Sequence, residues 1–391
     1  MFIKHLALLN PLIFLILILF ITGSFQARGQ ASSVEKLSAA VQLPRFQNCN
    51  SRYIDTAPND IRITATGDLV FSEFENINRS AFTDFMPFLK QADLVLGNLE
   101  GAITEYNQPR KPYVPGKSYS FRFPPSTANL LKQANFHVIS IANNHVHDFG
   151  PIGFSDTQRY LSQVGIETTG LKSSYIIRTV KGKRIAVISL AYYPVFNNVL
   201  EIDEAANLVK EVRAKSDIVV LYYQMGAEGD SAIKISADNE IFLGENRGNP
   251  RQFAKAMVNA GAHALIGHGP HVLRAAECID GTPILHSIGN FIGAGGLNAR
   301  QFASVSVLPE MLFDSNAKFK ALRLIPATFT LNKFPIHDPS DKAIHLINFL
   351  NQHAQKTFSD IQPIYFQGDQ TKIESFEHWL NQNLTNQIKS K

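Results

Sequence analysis

The residues best suited to chemistry in this chain are short polar side chains that stop apolar runs. Ile139–Gly150 reads ISIANNHVHDFG, so a β-branched run ends abruptly at Asn143, Asn144 and His145. The same pattern recurs at Asp68, at Asn98 and Glu100, at Gln224, at His268 and His271, and at Asn290. Taken singly, each is ordinary: an Asp after a strand is usually a turn or cap, and Asn-Asn is usually a turn pair. Their recurrence is what points to a site. Carboxylate, amide oxygen and imidazole together suit Mn, Fe or Zn better than a thiolate-seeking metal. Two such ions ~3.5–4 Å apart would clamp a phosphoryl or carboxyl oxygen and activate a water.

Elements that could bring these residues together alternate along the chain. Strands are expected at 61–66, 93–96, 138–142, 183–191, 217–223, 263–266 and 283–288, each short, apolar and bounded by Gly or polar residues. Helices are expected at 82–91, at 127–135 with Ser126 as its N-cap, at 154–164 and at 253–260. Residues 106–125 are Pro- and Tyr-rich and read as a surface loop. Beyond 302 come β-type runs at 302–307 and 321–328, a helix near 342–352 and a terminal helix after 365. Alternation of this kind implies an α/β sheet covered by helices, with ligands held beyond the carboxyl ends of its strands. His137, His263 and His286 fall within strands or at their starts and read as structural. His147 is a loop residue or an orienting partner, and Asp148 is suited to orienting the Asn-His turn.

Length and composition set the frame. The chain has 391 residues, 45% hydrophobic and 18% charged, with a formal net charge of +4. That is a core-forming balance, and the mild positive excess without a basic, aromatic-interleaved stripe does not argue for nucleic acid. Residues 1–31 carry Lys4 ahead of an apolar stretch from 6 to 21, interrupted only by Asn10 and Pro11, and end at Gly29-Gln30-Ala31. They read as a secretory signal peptide, with an uncleaved N-terminal membrane anchor as the alternative. Either places the rest outside the cytoplasm, secreted, periplasmic or anchored. Residues 32–57 read as a linker and 58–391 as one domain, 331–391 being an extension packed on it. Cys49 and Cys278 are the only cysteines, and they are read as one disulfide or two free thiols.

The ordered motifs Gly67-Asp68, GNLEG (97–101), ANNHVHDFG (142–150), GAEG (226–229), GHGPHV (267–272) and SIGNF (287–291) resemble the CapA family of capsule and poly-γ-glutamate synthesis proteins. GENRG (244–248) with GHGPHVLR resembles one branch of it. The resemblance spans roughly 60–330. It implies a calcineurin-like metallophosphoesterase fold, a four-layer α/β/β/α sandwich with a metal cleft at one sheet edge. It puts Asp68, Glu100, Asn144, His268 and His271 at metal-type positions, and His145 at the position that assists the transferred group. Asp148 and Glu228 join His145 as catalytic candidates, and Asn98, Asn143, Gln224, Arg247 and Asn290 are the candidate substrate contacts. The expected cofactor is a divalent metal, Mn, Fe or Zn, as one ion, two or none. The chain departs from the family at Gln224, where His is usual, at His286, where Tyr is usual, and at Ala294-Gly295.

Three functions follow as expectations. The first is an envelope protein supporting synthesis, transfer or export of an anionic polymer of poly-γ-glutamate type, with the polymer or its precursor, the envelope membrane and capsule-synthesis proteins as partners. The second is a metal-dependent hydrolase of phosphoesters or γ-glutamyl bonds. The third is a non-catalytic module that binds polymer or partner through a degenerate site.

Overall fold

Strands apolar at nearly every position build two main sheets, beside two short pairings, Ala102–Ile103 with Arg122–Phe123 and Ile241–Phe242 with Glu245–Asn246. In chain order the strands are β1 (Ile61–Val70), β2 (Leu94–Leu99), β3 (Val138–Ser140), β4 (Glu167–Thr169), β5 (Ile176–Val180), β6 (Lys183–Leu190), β7 (Ile218–Gln224), β8 (Ala264–His268), β9 (Ala276–Ile279), β10 (Thr282–Leu285), β11 (Asn290–Gly293), β12 (Val305–Phe313), β13 (Phe319–Phe329) and β14 (Pro335–His337). These come from a computed structural model that describes Cys49 and residues 56–71, 79–110, 112, 118–294 and 296–389. The N-terminal apolar stretch and nearly all of the 32–57 linker lie outside the described residues.

The first sheet runs β14-β13-β12-β1-β2-β3-β4, with β11 also paired to β1, and the second runs β9-β10-β8-β7-β6-β5. Ile61, Ile63, Leu94 and Leu96 of the first sheet meet Ile185, Val187, Val220 and Ile266 of the second in one buried core. The alternate residues face outward. Val95, Leu99 and Ile139 pack under helices α1 (Met86–Gln91), α2 (Ser126–Gln133) and α3 (Gly150–Gln163). Ala186, Ile188, Val219 and Leu221 pack under α4 (Ile202–Arg213) and α5 (Pro250–Asn259). Strands buried on both faces carry apolar residues at nearly every position, which is why they were readable as continuous runs. The four layers α/β/β/α implied by the resemblance are the ones observed.

The residues beyond 302 complete this core. β12 pairs antiparallel with the first half of β1, from Ile61 to Thr64. Helix α6 (Lys342–Thr357) inserts Ala343, Leu346, Ile347 and Leu350 into the layer between the sheets, and Phe376 and Leu380 of α7 (Ile373–Lys389) join it.

Five local expectations need correction. The 106–125 stretch is not surface loop throughout: Phe121 and Phe123 are buried, and Arg122–Phe123 pairs with Ala102–Ile103. The strand expected at 283–288 stops at Leu285, and Asn290 opens β11 instead of following a strand. β1 does not end at Thr66; it continues to Val70 because β11 takes over as its parallel partner, Asp68 aligned with Asn290. The stretch expected as a helix over 82–91 is a 3₁₀ segment, Arg79–Phe85, followed by the six-residue α1. Proline in its first turn suits a helix start there, not an interior. Helix α2 begins at Ser126 itself, and Pro125 is its cap without any side-chain cap bond.

Cys49 and Cys278 form a disulfide, and both are buried. The bridge spans 229 positions and ties the chain ahead of β1 to β9. Long-loop crosslinks restrict the unfolded chain most in entropic terms. Replacing Cys278 with Ser is expected to lower stability by about 2–5 kcal/mol. Urea denaturation of the oxidised protein and the variant measures it, and the two curves are expected to merge when reductant is added.

Candidate functional site

Six strand ends deliver the polar residues to one place, five at or near carboxyl ends and Asn290 at the start of β11. Parallel pairing sets Asp68 of β1 beside Asn98 of β2 and Asn290 of β11. In the second sheet, Gln224 of β7 is level with His268 of β8. The sheets are pinned across the core by the Tyr222 hydroxyl, which donates to the Thr66 carbonyl. Close approach is obligatory at Gly67, where a Cβ would lie 1.9 Å from the Gly289 carbonyl oxygen.

Asp68 is fully buried and is the hub. Its Oδ1 accepts from Asn98 Nδ2 at 2.9 Å, and its Oδ2 accepts from the Gly269 backbone N–H at 3.1 Å. His271 Nδ1 stands 3.0 Å from Oδ2 and 2.9 Å from Asn290 Oδ1. His268 Nδ1 lies 3.1 Å from Oδ1, but off the line of a hydrogen bond, and neither of its ring nitrogens has a hydrogen-bond partner among the described residues. Burial opposes the charge on Asp68, yet the imidazoles of His268 and His271 hold its carboxyl well below the usual range. His271 carries a left-handed backbone, φ 62°, a conformation that costs free energy outside glycine and clusters at sites. Burial disfavours its cationic form, but Glu100, Asp68 and Glu228 outweigh it and push the imidazole up to about 10.

Glu100 completes a metal-competent trio. Ligand atoms of Asp68, Glu100 and His271 all lie within 4.8 Å of one another. Burial, with Asp68 and Glu228 nearby, pushes the Glu100 carboxyl well above its ordinary value despite His271. Its Oε2 is buried with no hydrogen-bond partner among the described residues, as are both nitrogens of His268 and Oε1 of Gln224. Buried, unpartnered polar atoms around converging carboxylates are what a divalent cation would satisfy, so these residues fit one. His268 flanks Asp68 without belonging to the trio. Asn144 reaches the site through Gln224, whose Nε2 donates to its Oδ1 at 3.0 Å and to Glu100 Oε1 at 3.4 Å.

Beside the trio stands an imidazole–carboxylate pair. His145 Nδ1 lies 2.7 Å from Asp148 Oδ2, which also accepts from the Phe121 N–H at 2.9 Å. The Phe121 ring covers the imidazole at 4.4 Å between centroids. Asp148 thus fixes the imidazole and leaves Nε2 for other work. Asn143 builds the turn that carries the pair, accepting from the N–H groups of His145 and Val146 and donating to Asn98 Oδ1 and the Leu99 carbonyl. Asn98 and Asn143 were expected as substrate contacts. Both are buried, and their amides are engaged within the protein, so they hold the shape of the site.

A third group is ionic. Arg247 is buried, pairs with Glu228 at 2.7 Å and Glu245 at 2.9 Å, and lies 4.1 Å over the Tyr192 ring. Glu228 Oε2 in turn stands 3.8 Å from His271 Nε2. The loop carrying Glu228 is held by Glu240, which accepts from Ala227 N–H and pairs with the buried Arg274. Sequence reasoning missed Tyr192, Glu240 and Phe121. Tyr192 lies just past β6, which ends at Leu190, but an aromatic side chain there is not of metal- or phosphate-binding type; of the neighbouring residues only Arg274, within GHGPHVLR, carried any signal.

Other histidines are structural. His137 and His263 each accept a backbone N–H through Nδ1, from Val95 and Val219, and burial first, then Arg178 or Arg213, lowers each imidazole to about 4. His286 pairs with Glu277 at 2.7 Å, and His147 stacks on Phe154, away from the trio.

A family model described as bacterial capsule synthesis protein PGA_cap matches residues 62–294. The chain is 25% identical over 319 residues to the capsule biosynthesis protein CapA of Bacillus anthracis, covering 74% of this chain and 68% of that protein. It is 27% identical over 232 residues to the PGA biosynthesis protein CapA of Bacillus subtilis, covering 54% and 56%. Among solved structures, a 5'-nucleotidase precursor from Thermus thermophilus superposes with a TM-score of 0.44 and 13% identity, over 76% of this chain and 59% of that one.

Removing the hub carboxylate tests the fit. Adding Mn or Zn to chelator-stripped protein is expected to raise the thermal midpoint, by the equivalent of about 2.7 kcal/mol at a hundredfold excess over Kd. Asp68→Asn is expected to abolish that rise, as read by scanning calorimetry with and without metal.

Proposed function

The chain belongs to the bacterial capsule synthesis protein family PGA_cap, and from that premise we propose that it supports synthesis, transfer or export of an anionic capsule-type polymer through the cleft at the strand tips. The observation that carries this is the convergence of Asp68, Glu100 and His271 within 4.8 Å, beside a histidine already oriented by a carboxylate. Asp68, Glu100 and His271 would hold a divalent cation, with His268 against Asp68. When bound, it would supply Lewis-acid polarisation of a carboxyl or phosphoryl oxygen. His145 is suited to proton transfer or oxyanion stabilisation through Nε2, because Asp148 engages Nδ1 and fixes the ring. Arg247 is the cationic side chain placed to meet a carboxylate of the polymer, since a guanidinium forms paired hydrogen bonds with that group. Glu228, between Arg247 and His271, links that contact to the trio.

These roles predict a separation of function from folding. The Asp68→Ala, His145→Ala double variant is expected to lose the cell's surface polymer while being exported at wild-type abundance. Polymer at wild-type level in that strain, measured by glutamate analysis of the purified surface fraction, would refute the assignment. A parallel assay of chromogenic phosphodiester turnover with added Mn decides whether the same cleft also hydrolyses phosphoesters.

A further inference from the structure

One side chain stands where a second cation would have to bind. Paired ions in such centres lie ~3.5–4 Å apart. A cation among Asp68, Glu100 and His271 uses the trio. A neighbour would have to draw on Glu100 and on the next oxygen donor along, Asn144 Oδ1. Gln224 bridges those two groups, donating from Nε2 to Glu100 Oε1 at 3.4 Å and to Asn144 Oδ1 at 3.0 Å. An amide N–H pair satisfies the two acceptors that a cation would satisfy, without bringing charge. The amide nitrogen is a donor and not a ligand, because its lone pair is delocalised into the carbonyl.

The side chain is confined to this position. Gln224 is 1% exposed at the tip of β7, in register with His268. Gly269 packs on it so closely that a Cβ there would meet Gln224 Cγ at 2.4 Å. The φ of Gly269 is +95°, which favours glycine there, and its N–H is committed to Asp68. The turn that closes over the glutamine is therefore the same turn that fixes the hub carboxylate.

We propose that the centre is mononuclear: one divalent cation on the side of Asp68, Glu100 and His271, with the Gln224 amide as the uncharged surrogate of a second between Glu100 and Asn144. This rests on the metal-cleft function proposed above. Gln224→His puts an imidazole ligand where the amide stands, and is expected to admit the second ion.

The full mature chain, stripped and reloaded with Mn, is assayed for bound metal by elemental analysis and for ion–ion coupling by electron paramagnetic resonance. The wild type is expected to hold one Mn per chain with the spectrum of an isolated ion. Gln224→His is expected to hold two, with an exchange-coupled spectrum. Two coupled ions in the wild type would overturn the mononuclear assignment and leave the metal cleft standing. A Gln224→His protein with an unchanged melting profile that still holds one ion would also overturn it. No bound Mn in the wild type would bring down the metal cleft itself. Should the variant fail to fold, the wild-type count and spectrum alone decide.

Discussion

The burial of the Asp68 carboxylate is the constraint on which the rest of the structure depends. A carboxylate removed from water costs several kcal/mol unless donors surround it. Among the described residues no lysine or arginine supplies them. They come from Asn98 on β2, from the Gly269 N–H and His271 on the turn after β8, and from the flank of His268. β2 belongs to one sheet and β8 to the other, so the charge is satisfied only when the two sheets are aligned. Alignment in turn needs the buried apolar layer between them, which α6 helps to fill. The site is thus assembled by the fold, since its donors meet only across the aligned sheets.

Backbone proximity does for shape what these donors do for charge. β1 changes partner half-way along, from antiparallel β12 to parallel β11, and Asp68 falls where the second pairing begins. That exchange requires the Ser287–Asn290 turn to lie against Gly67, and any side chain there would enter the Gly289 carbonyl. β11 starts with Asn290, which orients His271. The partner exchange therefore puts the amide that aligns His271 beside the aspartate that His271 faces.

The sequence exposed this architecture unevenly, for physical reasons. β6, β7 and β8 were legible nearly to the residue because both of their faces are buried and polar residues bound them. β4 and β14, three residues each, have too little alternation to register, and β9 was hidden because Glu277 sits in its middle. That glutamate is tolerated only because Arg251 and His286 face it, a compensation that spacing does not reveal. At the site, polar residues recurring near strand ends pointed to one cleft and the family resemblance put five of them at metal-type positions; of these, Asp68, Glu100 and His271 bring ligand atoms within 4.8 Å of one another. The work of Asn98 and Asn143 was not legible, since an asparagine that binds a ligand and one that holds a turn look alike in sequence. Phe121 and Tyr192 act through neighbours brought up from distant segments, His145 and Arg247 respectively, and no local pattern marks them.

The distribution of charge bears on what such a cleft can receive. Asp68, Asp148, Glu228 and Glu245 crowd around three histidines, His145, His268 and His271, and one arginine whose guanidinium is already paired. Like charges at these separations repel an incoming polyanion, and low local dielectric strengthens the effect. A polymer of carboxylates would approach only if part of that negative charge were neutralised. A divalent cation on the trio does so at one end. At the other, a substrate carboxylate can exchange with Glu245, the more exposed partner of Arg247, because the buried guanidinium then keeps a carboxylate partner throughout. Glu228 is the less exposed partner and stays between Arg247 and His271. On the proposed function, the acidic character of the cleft is then a condition on its use: it is closed to anions until the cation is in place, and it admits them from the side where Arg247 changes partners.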